Sequence, residues 1–478
     1  MLAPVMASGK KLSVKRAAGL VLGLFALAAM PFFSFEGLSF SGHVALGIFL
    51  MAAVFWITEP IPIYATSMSV ILAQVVLLSD QSVIAGLLTR LHPEGYTAPA
   101  YTQFYGTLAN PIIILFLGGF TLAAAAEKYK LDRNLTRVLL KPFGTRPEMV
   151  SLGVMVVTAT LSAFMSNTAT TAMMMTVAIP IVAMVPRDDP FRRLIGLSIP
   201  VGANIGGIAT PIGTPPNAVA LAALAQEDVF VPFSTWMMLA VPLVIVTLFL
   251  AWWGICRIFK PRIEEFELQI DSSFDRSPRA IASYVVFGVT VVLWVTEKLH
   301  GVPSAVVAFL PIVLLPAMGV LEKKEIRGFS WEVLWLVAGG ISLGLSLQQT
   351  GLAAWMIGRV SWEGFGTTGL VILFSLVGFL VANLVSHTVS ATILMPIAIS
   401  LVLPLAGGIA SALIIPIAAI GVIVSYANIL PISTPPNAIA MSTGLIETRD
   451  LAVSGILVGV LGFVFTILFA LVLWPLVL

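Results

Sequence analysis

Long apolar runs alternate with short polar segments along the whole chain of 478 residues. A helical stretch of about 20 apolar residues matches the thickness of the hydrocarbon core of a bilayer. The pattern therefore predicts an all-α polytopic membrane protein. The predicted membrane segments cover residues 17–35, 43–59, 62–79, 108–126, 149–183, 194–225, 233–256, 280–297, 303–320, 331–356, 367–405, 408–443 and 452–476.

Two of these runs, 149–183 and 367–405, are too long for a single crossing. Each carries a polar break at its middle, Ser-Asn-Thr at residues 166–168 and Ser-His-Thr at residues 386–388. We interpret both runs as re-entrant hairpins, which enter and leave the membrane on the same side. The other eleven segments then cross the membrane once each as transmembrane helices.

Proline predicts a second pair of breaks. The segment Pro-Ile-Gly-Thr-Pro-Pro-Asn at residues 211–217 is repeated as Pro-Ile-Ser-Thr-Pro-Pro-Asn at residues 431–437. Proline removes a backbone donor and moves the residue before it out of helical geometry, so a helix cannot continue through either segment. Unpaired backbone groups are tolerated in a membrane only where they are buried in protein or line a cavity. Paired broken helices are therefore typical of a substrate site.

These breaks belong to a longer internal repeat. In both copies the hairpin break precedes Thr-Pro-Pro-Asn by the same 48 residues, and Trp-Ile-Thr-Glu at 56–59 matches Trp-Val-Thr-Glu at 294–297. The first copy contains five crossings, an odd number, so the second copy is predicted to be inverted in the membrane. The predicted division is an N-terminal segment with the first helix at 1–42, a first repeat at 43–256, a charged cytoplasmic linker at 257–279 and a second, inverted repeat at 280–478.

The distribution of positive charge predicts the orientation. With the N-terminus in the cytoplasm, 22 of the 25 Lys and Arg residues lie in cytoplasmic segments, and only Arg90, Lys298 and Arg359 lie outside. Cytoplasmic loops of membrane proteins carry an excess of Lys and Arg. We therefore predict a cytoplasmic N-terminus and an external C-terminus.

Composition excludes several classes of protein. Hydrophobic residues make up 59% of the chain and charged residues 10%, with a mean hydropathy of +1.03. Lys and Arg are spread along the loops, which argues against nucleic acid as a partner. Cys256 is the single cysteine, so an intrachain disulfide and a cysteine metal cluster are excluded. Every Asp and Glu falls in a loop or at a predicted helix end, which leaves no carboxylate at mid-membrane for a proton relay or for hydrolysis. We predict neither enzymatic activity nor a cofactor.

Neutral groups converge at the predicted breaks instead. Amide hydrogens at a helix N-terminus favour an anion, whereas carbonyl, hydroxyl and amide oxygens at unwound helix ends suit a sodium ion. Opposite charges held close together in a low dielectric attract strongly, so coupled binding of cation and anion is expected. His387 replaces the Asn of the first copy, and its imidazole, a group that changes charge near physiological pH, could donate to an anion.

The paired Ser-Asn-Thr-type hairpins and Thr-Pro-Pro-Asn breaks resemble those of the divalent anion/sodium symporter family, the carriers of succinate, malate, citrate, sulfate and related anions. The resemblance covers essentially the whole chain, and two motif pairs in inverted halves make it specific. It implies eleven helices, two re-entrant hairpins and sodium as the coupling ion. It also implies a homodimer built from a scaffold domain and an elevator-type movement of a transport domain.

The resemblance further implies a set of ligands. One sodium ion would be bound by Ser162, Ser166, Asn167 and Gly213, and a second, in the mirrored place, by Ala382, His387 and Ser433. The anion would be held by Ser166, Asn167, Thr168, Thr214 and Pro215 from one repeat and by Ser386, His387, Thr388, Thr434 and Pro435 from the other. Two departures weaken the second sodium site, because Ala382 lacks the hydroxyl of Ser162 and His387 replaces Asn.

We therefore predict a multi-pass carrier of the plasma (cytoplasmic) membrane that moves a small divalent anion together with sodium. A C4-dicarboxylate is the leading candidate for this anion. The Ser-His-Thr form also resembles that of fungal low-affinity phosphate carriers, which keeps inorganic phosphate or sulfate open as the cargo. Sodium-independent anion exchange is a further alternative, and an anion channel belongs to a different class. A membrane-embedded enzyme would need a nucleophile with a base or metal at mid-membrane, where only His387 is available.

Overall fold

The structure is a computed structural model that describes residues 14–91, 97–266, 273–359 and 366–478. Every regular element in these residues is a helix, which confirms the predicted fold class. The helices of the part before the predicted linker are α1 (Val14–Ala29), α2 (Phe40–Thr58), α3 (Ile63–Leu78), α4 (Ala85–Arg90), α5 (Tyr101–Gly106), α6 (Pro111–Lys128), α7 (Leu131–Leu140), α8 (Pro147–Ser162), α9 (Asn167–Val182), α10 (Phe191–Gly206), α11 (Pro215–Gln226) and α12 (Phe233–Ile258).

The part of the chain that follows the linker is also helical. Residues 267–272 of the predicted linker lie outside the described residues. The remaining helices are α13 (Pro278–Val295), α14 (Glu297–His300), α15 (Ser304–Val307), α16 (Phe309–Ala317), α17 (Lys323–Arg327), α18 (Trp331–Gln349), α19 (Leu352–Gly358), α20 (Gly366–Leu384), α21 (His387–Leu405), α22 (Ile414–Ser425), α23 (Pro435–Ser442), α24 (Thr448–Leu468) and α25 (Trp474–Val477).

Within the described ranges, nine helical segments are long and apolar enough to cross a membrane, and four shorter apolar helices accompany them. Both hairpin runs break where the sequence predicts, between α8 and α9 and between α20 and α21. The helices α8 and α9 have 16 residues each, whereas α20 and α21 have 19 each. The re-entrant course of the two hairpins stays a prediction.

The chain divides into two compact units. One consists of Met1–Ala109 with Glu332–Trp362, and the other of Asn110–Trp331 with Glu363–Leu478. Each unit thus takes segments from both predicted repeats. The second unit contains both hairpins and both Thr-Pro-Pro-Asn segments.

The first unit contains a buried polar contact between two helices. From α3, Gln74 donates through Nε2 to the Ser342 carbonyl oxygen and to Ser346 Oγ of α18, at 2.9 Å each, and the Ser342 hydroxyl donates back to the Gln74 side chain. A Cβ added to Gly339 would lie 2.4 Å from the Cβ of Ser67, so the two helices approach closely there. Small residues and polar contacts of this kind hold membrane helices together.

In the second unit, α10 packs along the first hairpin helix. A Cβ at Gly202 would lie 2.6 Å from the Met155 carbonyl oxygen, and one at Gly206 would lie 2.3 Å from the Ala159 carbonyl oxygen. Only glycine allows the backbones of α8 and α10 to come this close. The C-terminal end of α10 is thereby held beside the tip of the first hairpin.

The second pair of broken helices packs in a related way. Gly378 of α20 lies against Val424 of α22, since a Cβ there would be 3.0 Å from Val424 Cγ2. Gly421 of α22 lies against α11, where a Cβ would be 3.0 Å from the Cβ of Ala220. The helices on either side of the two Thr-Pro-Pro-Asn segments therefore belong to one packed core.

Candidate functional site

The first cluster forms where the tip of the hairpin α8–α9 meets the end of α10. The Ser162 hydroxyl lies 2.6 Å from Asn167 Oδ1 and 2.8 Å from the Ala203 carbonyl oxygen. A hydroxyl carries one proton, so Ser162 can donate to only one of these two oxygens at a time. Ser162 is fully buried, and Asn167 is half-buried. Three oxygen atoms are thus gathered around a single hydrogen.

The first break brings backbone against backbone beside this cluster. After α10 the chain makes a 3₁₀ turn at Gly207–Ala209 and resumes as α11 at Pro215. A Cβ at Gly207 would lie 2.4 Å from Asn167 Oδ1, and a Cβ at Gly213 would lie 2.4 Å from the Gly207 carbonyl oxygen. Gly213, Gly207 and Asn167 are therefore stacked in direct contact. The structure brings the predicted ligands Ser162, Asn167 and Gly213 together.

Asn217 holds the first break in shape. Its Nδ2 atom donates to the carbonyl oxygens of Gly207, Ile208 and Thr210 at 3.1, 3.3 and 2.8 Å, and so satisfies backbone acceptors that the interrupted helix leaves open. The Thr210 hydroxyl donates to the Ala163 carbonyl oxygen at the hairpin tip. Thr214 has extended backbone angles before α11, and its side chain makes no capping hydrogen bond.

The second cluster forms where the tip of the hairpin α20–α21 meets the end of α22. His387 is buried, and its Nε2 atom donates to the Ala427 carbonyl oxygen at 2.7 Å. A carbonyl oxygen only accepts, so the proton of a neutral His387 lies on Nε2 and leaves Nδ1 as an acceptor. Residues 387 and 427 correspond by the 220-residue repeat to Asn167 and Gly207, which are also in contact. The predicted replacement of Asn by His thus lies at an equivalent place.

Asn383 takes part in the second cluster, where the sequence pointed to its neighbour Ala382. The Asn383 carbonyl oxygen accepts from Ser433 Oγ at 2.9 Å, and its Oδ1 atom accepts from the amide of Ile429 at 2.9 Å. Ala382 is fully buried, and its side chain is only a methyl group. Of the predicted ligands, His387 therefore lies at the tip of the second hairpin and Ser433 in the second break, where it bonds to Asn383.

The second break repeats the hydrogen bonds of the first. Asn437 Nδ2 donates to the carbonyl oxygens of Asn428 and Leu430 at 3.1 and 3.2 Å, as Asn217 does to the equivalent positions 208 and 210. Thr434 has extended backbone angles before α23 and no side-chain cap, again like its counterpart Thr214. The sequence repeat is therefore also a repeat of local structure.

The two serines of the hairpin motifs cap helices. The amide of Ala169 donates to Ser166 Oγ at 3.1 Å, and the amide of Val389 donates to Ser386 Oγ at 3.3 Å. A hydroxyl oxygen that accepts a helix amide keeps its own proton for another partner. Capping therefore does not use up the donor of either serine.

The other predicted anion ligands differ in exposure. Thr214 and Thr434 are buried, whereas Thr388 and Pro215 are half-buried. Thr168 at the first hairpin and Pro435 at the second break are exposed. All of them lie in the second compact unit.

A cavity of about 420 Å³ opens on the first hairpin. Ser166, Lys128 and Glu325 all lie in its wall. Lys128 pairs with Glu325 at 3.3 Å and with Glu322 at 3.8 Å. The amide of Glu322, followed by Lys128, holds the pKa of the Glu325 carboxyl below its ordinary value. The cavity thus joins the hairpin tip to charged loops that the sequence predicts to be cytoplasmic.

Several polar residues of this region were not predicted as ligands. Asn217 and Asn437 are the last residues of the repeated motif, so the sequence could have indicated them. Asn383 follows Ala382, a predicted ligand, in the sequence. Asn204 of α10 gave no repeat signal, since residue 424 in the second copy is valine. Its signal was a lone amide in an apolar helix, which is a functional candidate in a membrane.

Two sequence copies, broken helices with matching hydrogen bonds and neutral oxygen clusters define a class, the membrane transport proteins built on paired discontinuous helices. The family described as "Sodium:sulfate symporter transmembrane region" matches residues 11–478. The chain belongs to this family, which confirms the resemblance found in the sequence.

Named relatives agree with this assignment, and two solved structures are similar to the chain in fold. The chain is 31% identical to the sodium-dependent dicarboxylate transporter SdcS of Staphylococcus saprophyticus, over 98% of this chain and 93% of that protein. It is 30% identical to the sodium-dependent high-affinity dicarboxylate transporter 3 of Caenorhabditis elegans, over 87% and 80%. In fold it is similar to MtrF of Neisseria gonorrhoeae, with a TM-score of 0.57 and 14% identity over 98% of this chain and 96% of that chain. The YdaH transporter of Alcanivorax borkumensis gives a TM-score of 0.53 at 14% identity, over 85% and 97%.

Proposed function

We propose that this protein is a secondary transporter that moves a C4-dicarboxylate across the membrane together with sodium ions. The observation that carries the proposal is the pair of equivalent oxygen-lined clusters, each made by a hairpin tip and a broken helix. The names of the relatives, which are sodium-dependent dicarboxylate transporters, support the same cargo and coupling ion. The protein makes and breaks no covalent bond in this process.

In this proposal the first cluster binds a sodium ion. Ser162, Asn167 and the Ala203 carbonyl present three oxygen atoms with one hydrogen among them. A cation that replaces this shared hydrogen bond receives lone pairs from all three oxygens and leaves the Ser162 proton free to turn away. Gly213 and Ser166 complete the proposed ligand set from the break and the hairpin tip.

The second cluster would bind a second sodium ion with a different set of donors. Ala382 can contribute only its backbone carbonyl, and His387 can contribute Nδ1 when neutral. The Ser433 hydroxyl donates to the Asn383 carbonyl and accepts from the Leu430 amide, so one lone pair of its oxygen stays available. Asn383 adds an amide side chain close to these groups. The weaker oxygen set predicts a lower sodium affinity here than at the first cluster.

The anion would lie between the two hairpin tips and the two breaks. The N-termini of α9, α11, α21 and α23 begin at the four motifs and supply amide hydrogens and partial positive charge. The donors that remain are the hydroxyls of the two capping serines and of Thr168, Thr214 and Thr388, because the Thr434 hydroxyl already donates to Asn204 Oδ1. The proposed ligands are Ser166, Asn167, Thr168, Thr214, Pro215, Ser386, His387, Thr388, Thr434 and Pro435.

The proposal includes an elevator-type movement and the predicted orientation. Both clusters lie in one compact unit, Asn110–Trp331 with Glu363–Leu478, as a unit that carries its cargo would require. The unit formed by Met1–Ala109 and Glu332–Trp362 would supply the scaffold, and a homodimer follows from the family resemblance. The cavity beside Ser166 would then be the cytoplasmic exit.

Uptake into proteoliposomes tests the function. An inward sodium gradient should drive accumulation of radiolabelled succinate, and a choline gradient of equal strength should not. Asn167→Ala should insert in the membrane and lose this uptake, because the first cluster loses one of its three oxygens. Uptake that needs counter-loaded anion and ignores sodium would replace the proposal by anion exchange, and current without coupling would replace it by a channel.

A second candidate cargo, inorganic phosphate or sulfate, follows from the resemblance of the Ser-His-Thr form to that of fungal low-affinity phosphate carriers, although His387 Nε2 already faces the Ala427 carbonyl oxygen. Competition by citrate, sulfate and phosphate in the same vesicles separates it from succinate. If the imidazole selects an inorganic oxyanion, phosphate or sulfate should compete better than succinate, and His387→Asn should reverse that ranking. An unchanged ranking would remove this alternative.

A further inference from the structure

Asn204 lies fully buried in α10 and reaches across to the second break. Its Nδ2 atom donates to Asn437 Oδ1 at 3.2 Å, and its Oδ1 atom accepts from the Thr434 hydroxyl at 3.3 Å. One side chain from the first copy thus contacts two residues of the second Thr-Pro-Pro-Asn segment. All three residues belong to the same compact unit.

The direction of these hydrogen bonds follows from the surrounding backbone. Asn437 Nδ2 faces the carbonyl oxygens of Asn428 and Leu430, so its Oδ1 atom must face Asn204. Asn204 must then present its NH₂ group to Asn437, which leaves its own oxygen for Thr434. The Thr434 proton is therefore committed to Asn204, and the lone pairs of its hydroxyl are what remains for a ligand.

The first break has no such link. Asn217 Oδ1, the counterpart of Asn437 Oδ1, is buried and has no hydrogen-bonding partner among the described residues. Position 424, the counterpart of Asn204, is Val424, which cannot donate or accept. The contact therefore breaks the symmetry of the repeat: a side chain of the first copy contacts the second break, and the equivalent side chain of the second copy makes no such contact with the first break.

Asn204 also adjoins the first cluster through its neighbour in the chain. The carbonyl oxygen of Ala203 is one of the three oxygens around the Ser162 hydroxyl. This carbonyl belongs to the peptide unit that ends at the Asn204 nitrogen, so a cation bound by the Ala203 oxygen acts directly on the backbone that carries the Asn204 side chain. A short covalent path thus joins the first cluster to Thr434.

We propose that Asn204 is a positioning residue through which occupancy of the first cluster by sodium orients Thr434 and the second break for the anion. The inference rests on the proposed sodium-coupled transport and adds to it the residue that links the first cluster to the anion site. Thr214, without this partner, keeps its proton for the anion, so the two motif threonines have different roles.

The test is the dependence of the succinate KM on sodium. In the wild-type protein the KM at low sodium should exceed the KM at saturating sodium by about tenfold or more, in the range of typical coupling between sites. Asn204→Leu keeps the branched shape of the side chain but removes both hydrogen bonds, and the ratio of the two KM values should fall below about threefold. A merely structural role would lower the maximal rate and leave this ratio as it is.

Sodium binding is measured separately, by the Tm of the detergent-solubilised protein. Sodium alone should raise the Tm of Asn204→Leu as it raises that of the wild type, because the Ser162, Asn167 and Ala203 oxygens are intact. The additional rise that succinate produces in the wild type should be lost in the variant. Loss of the sodium effect itself would overturn the inference.

Two further variants complete the design. Thr434→Val removes the same contact from the other side and should reduce the KM ratio equally, which keeps the inference testable if Asn204→Leu fails to insert. Ser198→Ala on the same helix removes a buried hydroxyl whose one partner among the described residues is the Leu194 carbonyl, and it should keep the wild-type ratio. A wild-type ratio in Asn204→Leu or Thr434→Val would refute the role of Asn204. Wild-type uptake without any sodium dependence would refute the proposed function itself.

Discussion

At the scale of single residues, the two clusters differ in how many oxygens they offer a cation. Ser162 contributes a hydroxyl to the first cluster, and its counterpart in the second is Ala382. A dehydrated ion at the second cluster therefore has one oxygen ligand fewer. This difference matters because the interaction of an ion with a polar group is stronger where water is excluded. The two clusters should therefore respond differently to sodium.

Exchange of these two residues tests the difference. Ser162→Ala should raise the sodium concentration for half-maximal uptake by about tenfold or more, as expected for loss of one hydrogen-bonding group at a charged partner. Ala382→Ser should lower it. Sodium activation curves of succinate uptake measure both, and Thr160→Val, whose hydroxyl bonds only within its own helix, serves as the control. An unchanged curve for Ser162→Ala would exclude Ser162 as a ligand.

The sequence identified some of these residues and missed others for a physical reason. The family resemblance implied Ser162, Asn167 and Gly213, and the structure brings them together. Asn204 could not be found in this way, because its counterpart is Val424 and its partners lie more than 200 residues away in the chain. Side-chain contacts between the copies depend on packing that a repeat pattern does not encode.

At the scale of elements, the breaks were predictable because proline leaves the backbone little choice. Helix α10 ends and α11 begins where the motif requires, with Pro215 at the first helical turn. The 3₁₀ turn at Gly207–Ala209 and its contact with the hairpin were not predictable, because they depend on two glycines that meet in space. Gly213 allows the break to pack on the Gly207 carbonyl oxygen.

Gly213→Ala should disrupt the first break. The added Cβ would lie 2.4 Å from the Gly207 carbonyl oxygen. Neither atom can rotate away, because the backbone fixes the position of both. The expected cost is about 1–3 kcal/mol, with uptake reduced at least about tenfold because Asn167 packs on the same turn. Uptake and the unfolding temperature are compared with Gly288→Ala, where a Cβ meets no atom within 4 Å. Equal behaviour of the two variants would contradict the described contact.

At the scale of the whole molecule, the compact units could not be read from the repeat. Each unit combines segments of both copies, and the boundaries at residues 109, 331 and 362 fall inside the predicted repeats. The hydrophobic pattern gives the order of helices along the chain, but long-range packing decides which of them form one unit. The Gln74 contact with Ser342 and Ser346 is an example of such packing.

The predicted orientation is testable because the chain has one cysteine. In a Cys256→Ala background, Lys130→Cys and Lys298→Cys introduce single exposed thiols in loops that positive charge assigns to opposite sides. A membrane-impermeant maleimide added to intact cells should label position 298 and should label position 130 only after the cells are opened. Labelling of both from outside would be evidence against the predicted number of crossings between them.

The cavity that opens on Ser166 has a consequence for the energetics of release. Its volume of about 420 Å³ is large enough to hold several water molecules beside a small dianion. A departing dicarboxylate would regain its hydration shell one end at a time while the hairpin still contacts the other end. Lys128, held by Glu322 and Glu325, would then meet an ion that is already partly rehydrated, and high ionic strength should weaken that encounter without altering the dehydrated site.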